Sequence, residues 1–213
     1  MYDGKQYLCS MTSRMTPLDV ARMLRLRPET AHKGTMGHAL LVAGSAGVGG
    51  CAVLGAESCL RSGVGKLTVC TPECNRLLLQ LSVPEAVLRL LPHGGDDGAS
   101  WEAEEFARWQ AVGIGPGIGL LAVGLMHDVA ERSAGLPMVV DADALRILAV
   151  HPEWMPMLRG RAVLTPHGGE MLALASGILH ADAPLHTDSM LLAAAGRLAT
   201  EFRVCVVLKG HPT

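Results

Sequence analysis

Several short stretches of this chain put reactive side chains directly behind apolar runs. VCVVLKGHPT (204–213) delivers a lysine, a glycine and, three residues later, a threonine. Lys209 can neutralise phosphate charge, Gly210 lets a backbone approach a ligand, and Thr213 can donate a hydroxyl hydrogen bond. TPHGGE (165–170) sets His167 just ahead of a helix opening near Gly169 or Glu170. A histidine there can donate to a phosphate or a polar ligand edge, or serve structurally. DADAL (141–145) offers two carboxylates, and Asp141 and Asp143 suit polar contacts, a helix N-cap or magnesium ligation.

Two glycine-rich stretches accompany them. GSAGVGGCA (44–52) fits G-x-G-x-x-A at Gly47, Gly49 and Ala52, with Glu73 further on as a possible ribose acid. A dinucleotide-binding turn leaves its strand directly, however, whereas here Gly44, Ser45 and Ala46 intervene. A P-loop is excluded, because Gly65-Lys66 is followed by leucine and position 60 is also leucine. GIGPGIG (113–119) places Pro116 between glycines ahead of a helix. It reads equally as a ligand-approach loop or as a plain strand-to-helix turn.

Positioning these groups requires strands that end together. Apolar runs suited to buried strands occur at 39–43, 66–70, 111–114, 137–140, 161–164 and 204–208. Helix-length segments lie between most of them, including 51–62, 120–133, 168–176 and 187–201, and TPLDVARMLRLRPE predicts a short amphipathic helix before Pro28. The alternation predicts an α/β fold, a mostly parallel sheet with helices on both faces. Ligands then bind where the strands end, at loops and helix N-termini. Five of the six runs end in Gly, Asp, His, Ser, Thr or Lys, which together describe a site.

Composition narrows the partners. The 213 residues carry a formal charge of −2 with both signs interspersed, so no basic face for nucleic acid or an anionic membrane is expected. Six cysteines (9, 51, 59, 70, 74, 205) form no CxxC pair and are read as reduced thiols packed as small hydrophobes. The uncharged segment 39–56 is about as long as a bilayer span, yet its five glycines favour a strand, a loop and a helix. With no signal peptide at Met1, a soluble cytoplasmic protein is expected. The histidines other than His167 are read as exposed loop residues.

Taken in order, HKGTMGHALLVAGSAGVGGCAVLGAESCLRSGVGKLTV, GIGPGIG, PMVVDADAL, LTPHGGEM and VVLKGHPT resemble the ADP/ATP-dependent NAD(P)H-hydrate dehydratases. These form the carboxy-terminal domain of the YjeF-type repair proteins. The resemblance runs from about His32 to Thr213 and implies a ribokinase-like three-layer α/β/α fold over residues 31–213, with 1–30 an N-terminal extension or linker. It implies a nucleotide, ADP or ATP with Mg2+, that phosphorylates the ring hydroxyl of hydrated NADH or NADPH. Elimination of phosphate then restores the cofactor. Cys51 (usually alanine in the family), Gly115, Gly117 and His167 would contact the hydrated dinucleotide. Lys209, Gly210, His211, Pro212 and Thr213 match the K-G-x-x-T box that holds the nucleotide phosphate. A homo-oligomer is expected.

The resemblance also implies a following G-N-x-G-M-A-x-G-G-x-G-D segment, bearing the anion hole and the aspartate base. No match occurs within the 213 residues, and none of Asp141, Asp143 or Asp188 lies in such a motif. The expectation is a fragment or a truncated protein, incomplete at its C-terminus and prone to self-association. Two other readings stand beside the dehydratase. One is a different ribokinase-like small-molecule kinase; the other is a non-catalytic nucleotide- or dinucleotide-binding module.

Overall fold

The computed structural model describes residues 16–23, 27–91, 101, 104–180 and 187–210. His211, Pro212 and Thr213 lie outside them, as do residues 181–186 of the HADAPLH stretch. Among the described residues, seven strands build one sheet: β1 (His38–Val42), β2 (Lys66–Pro72), β3 (Val87–Leu91), β4 (Ala111–Ile114), β5 (Met138–Val140), β6 (Ala162–Leu164) and β7 (Cys205–Val206). Every pairing is parallel, in the order β3-β2-β1-β4-β5-β6-β7. The helices are α1 (Pro17–Met23), α2 (Gly50–Arg61), α3 (Arg76–Ser82), α4 (Val123–Arg132), α5 (Asp143–Val150), α6 (Met155–Leu158), α7 (Gly168–Leu179) and α8 (Asp188–Phe202).

Both sheet faces are covered, which is why the strands read as continuous apolar runs rather than alternating ones. On β1, Leu40 and Val42 join the larger core, which includes Met126, Leu145, Leu148 and Met171. Ala39 and Leu41 face the other way, into a smaller cluster with Ala52 and Ala56 of α2 and Leu79 of α3. At roughly 25 cal/mol per Å² of apolar surface, these two layers supply the main driving force for folding.

The chain starts in the middle of the sheet. It builds outward to β3, then returns to lay β4 on the opposite side of β1. The connections leaving β1 and β4 therefore diverge, which makes the carboxyl ends of these two strands the topological switch point of the sheet. That switch point is where open α/β sheets bind ligands.

Some expectations need correction. The final run forms a strand only over Cys205–Val206, shorter than 204–208. The VLRLL strand, β3, was not expected, because Arg89 interrupts its apolar pattern. Arg89 is accommodated by an ion pair with Glu105 at 3.0 Å and by lying 3.8 Å over the Trp101 ring. Two histidines are not loop residues. His38 sits in β1, 2.8 Å from the Thr68 hydroxyl, and burial pushes its pKa down with Lys66 and Arg108 adding to the shift. His127 lies in α4 and packs on Trp154. Nor are all thiols packed inside: Cys70 is buried, whereas Cys74 and Cys205 are exposed.

Candidate active site

The loop after β1 is shaped from beneath. Gly44 and Gly47 adopt φ of 84° and 79°, and Ser45 and Val48 close a small turn before α2 opens at Gly50. Buried Asn75 supports this turn: its Nδ2 donates to the Thr71 hydroxyl at 2.9 Å and to the Ser45 carbonyl at 3.4 Å. A Cβ on Gly49 would come within 2.6 Å of Leu78 Cδ2 and 2.7 Å of the Asn75 side-chain oxygen, so a larger residue would displace Asn75 or Leu78. Sequence reasoning missed Asn75, which stands in no glycine motif. Glu73 is engaged by Arg76 at 2.6 Å and so does not stand as a free ribose acid.

This loop is tied to the one after β4. The Gly44 N–H donates to the Pro116 carbonyl at 2.8 Å, and the Cys51 thiol lies 3.2 Å from both the Val48 and Pro116 carbonyls. Burial pushes the Cys51 pKa up, which keeps it a neutral thiol and a donor. Gly117 (φ 64°) passes so close to Cys51 and Val48 that no side chain fits. Cys51, Gly115 and Gly117 are thus brought together at the carboxyl ends of β1 and β4.

The DAD turn after β5 links this group to the ends of β6 and β7. Neither aspartate caps α5, whose N-cap is Ala142 with no side-chain bond. Instead Asp143 reaches back to accept the Gly119 N–H at 3.0 Å. Asp141 faces the other way: its Oδ1 accepts from Lys209 Nζ at 2.6 Å and from the Thr165 hydroxyl at 2.8 Å. Burial alone would raise the Asp141 pKa. The Lys209 and Thr165 hydrogen bonds outweigh that and hold it below its ordinary value.

His167 closes the group. It bridges to Lys209 across the β6 and β7 ends and caps α7, with Nδ1 accepting the Gly169 N–H at 3.0 Å. Glu170 completes a capping box by accepting the His167 N–H at 2.9 Å. Glu170 is only 5% exposed, yet one of its oxygens lies 3.8 Å from Lys209 Nζ. The second ring nitrogen of His167, Nε2, lies 3.2 Å from the other Glu170 oxygen, so both nitrogens are engaged although the side chain is half exposed. Gly210 follows Lys209 and is exposed.

A family model described as NAD(P)H-hydrate dehydratase matches residues 39–213, which spans every one of these loops. The chain belongs to that family. An ADP-dependent (S)-NAD(P)H-hydrate dehydratase from Listeria monocytogenes is 30% identical over 94% of this chain and 67% of its own length. The Neisseria meningitidis enzyme of the same name is 34% identical over 93% of this chain and 64% of its own. Among solved structures, an ADP/ATP-dependent NAD(P)H-hydrate dehydratase from Bacillus subtilis, co-crystallised with ATP/Mg2+, superposes with a TM-score of 0.67. It is 29% identical, over 92% of this chain and 65% of that one. A ribokinase-like superfamily protein from Enterococcus faecalis superposes with a TM-score of 0.71 at 23% identity, which bears on the fold alone. The ribokinase-like α/β architecture expected of the dehydratase family is the one this chain adopts. The chain spans about two thirds of the length of these relatives.

Proposed function

We propose that this dehydratase-family chain serves the nucleotide-dependent return of hydrated NADH or NADPH to NAD(P)H, a hydro-lyase reaction of metabolite repair. The observation that carries it is the joining of two half-sites at one sheet edge. Cys51, Gly115 and Gly117 stand at the switch point of the sheet, and the DAD turn ties their loops to His167 and Lys209. The bare backbone of the glycine loops can approach a dinucleotide, and His167 meets it by exchanging its Nε2 contact with Glu170 for one to the ligand.

Lys209, with Gly210 beside it, takes the phosphate of ADP or ATP, and His211, Pro212 and Thr213 complete the K-G-x-x-T motif that the family implies for it. Phosphoryl transfer asks chiefly for positioning and charge stabilisation, which suits a cation fixed at a strand end. The general base is assigned to none of Asp141, Asp143 or Asp188. Asp141 and Asp143 are already occupied by Lys209, Thr165 and the Gly119 N–H.

These carboxylates do not make a ready magnesium cage. Asp141 holds Lys209, and both oxygens of Glu170 face His167. Among the described residues, the one set of three candidate ligands (His127, Asp128, Glu131) lies on the body of α4. A nucleotide's own phosphates and water suit Mg2+ better than such side chains.

No helix among the described residues is long and apolar enough to cross a membrane, in keeping with a cytoplasmic site of action. A homo-oligomer with no nucleic-acid partner completes the proposal, with residues 1–30 an N-terminal extension or linker before the 31–213 domain.

The test is to incubate hydrated NADPH with the protein, with and without ADP or ATP. The near-ultraviolet absorbance of the reduced ring and the release of phosphate are followed together. Nucleotide-dependent recovery of the absorbance is expected. A stable phosphorylated product without recovery would make the protein a small-molecule kinase instead. Binding of both ligands without any chemistry would make it a binding module.

A further inference from the structure

The lysine assigned to the nucleotide is not held by its own turn. Its backbone N–H donates to the Pro166 carbonyl at 2.8 Å, but the side chain crosses to the end of β5, where Nζ meets Asp141 Oδ1 at 2.6 Å. A free lysine head on a four-carbon stem samples many positions, so a fixed carboxylate at that distance selects one of them. The aspartate is itself held, once at its carboxylate and twice at its backbone. The Thr165 hydroxyl donates to the same oxygen at 2.8 Å, and the Asp141 N–H donates to the Ile114 carbonyl at 3.0 Å. The Asp141 carbonyl, which packs against Gly115, accepts the Ala144 N–H at 3.2 Å and closes a turn in which Ala142 is held at φ 49°.

We propose that Asp141 is a positioning residue of the nucleotide site: with Thr165 sharing its oxygen, it holds the Lys209 ammonium where an incoming nucleotide phosphate meets it. The inference rests on the reading of Lys209 as a phosphate ligand and deepens that reading. The pair is not explained by stability. Lys209 is 40% exposed and Asp141 31%, and ion pairs so wet are worth little to the fold. A competing role would be that Asp141 merely draws the ammonium away from phosphate. The two roles differ in sign, since removing a competitor tightens ADP binding and removing a positioner weakens it.

Calorimetric titration of ADP into the full chain separates them, using Asp141→Asn, Thr165→Val, Lys209→Met and the Asp141→Asn/Lys209→Met double variant. Lys209→Met is expected to weaken ADP binding by roughly tenfold or more, the scale of a charge-assisted contact. Asp141→Asn should weaken it by about five- to tenfold and Thr165→Val by less. The Asp141→Asn loss should vanish in the Lys209→Met background, because the effect passes through the lysine. Unchanged or tighter ADP binding by Asp141→Asn overturns the proposal, and so does an equal loss in both backgrounds. Should Asp141→Asn fold poorly, Thr165→Val decides: parent-like melting with parent-like ADP affinity also overturns it. Lys209→Met that binds ADP like the parent, or a parent that binds no ADP, refutes the phosphate reading itself. That failure is distinct from loss of positioning alone.

Discussion

Replacing Gly115 by alanine probes the junction on which both half-sites depend. Gly115 ends β4 at φ 131°, outside even the left-handed region that alanine tolerates, and is buried. An added Cβ would collide with the Asp141 main-chain carbonyl and come within 2.9 Å of the Ala144 Cβ. Relief cannot come from a side-chain rotation, because the principal obstacle is backbone; the DAD turn must move. The conformational strain is worth about 1–3 kcal/mol, and overpacking adds about 1–3 kcal/mol. At roughly 2–4 °C per kcal/mol for a chain of this size, Gly115→Ala should melt about 4–24 °C below the parent. Gly119→Ala is the control, since that glycine also has positive φ (84°) but has no atom within 4 Å of its added Cβ. Its cost is about 1 kcal/mol of strain, or roughly 2–4 °C. Melting followed by circular dichroism reads both. A Gly115→Ala protein that melts at or above Gly119→Ala would refute the packing of the β4 loop on the DAD turn.

Other consequences follow from the same contacts. Because Asp141 is held below its ordinary pKa, its contribution to stability is present above the unfolded value of about 3.9 and is lost as pH falls through the lower folded value. Melting curves of parent and Asp141→Asn should therefore run parallel near neutral pH and converge in acid. His167→Ala removes the α7 cap and should cost about 1 kcal/mol, whereas His167→Asn, which can still cap, should recover most of it; chemical denaturation measures both. Thiol labelling resolved by peptide mass should modify exposed Cys74 well before Cys70, which is buried with its pKa pushed up to about 12. Cys51→Ala should leave the fold intact, losing only weak thiol hydrogen bonds worth under about 1 kcal/mol by thermal melt.

What could be read in advance was local. AVGI coincides with β4 over 111–114, because a short apolar run between turn residues suffices to mark a buried strand. The loops after β1, β4, β5, β6 and β7 were legible for the same reason: glycines and polar groups stood directly behind such runs. β3 was hidden by Arg89, whose charge is compensated by Glu105 and Trp101, both far from it in sequence. Pairings across the chain were equally invisible. Asp141 and Lys209 are 68 residues apart, and nothing in DADAL tells which aspartate turns toward β7 and which toward Gly119. Helix capping, the commoner role for such aspartates, was set aside once Ala142 took the N-cap at a strained φ. Asn75 could not be found, since its function is to fill the space that Gly44 and Gly49 leave empty.

The central claim is that two separate half-sites share one sheet edge. It is tested most directly by titrating hydrated NADPH into protein already saturated with ADP, and ADP into protein saturated with hydrated NADPH. Both ligands should bind together. Lys209→Met should weaken ADP and leave binding of the dinucleotide unchanged. Mutual exclusion of the two ligands, or no binding of hydrated NADPH at all, would contradict it.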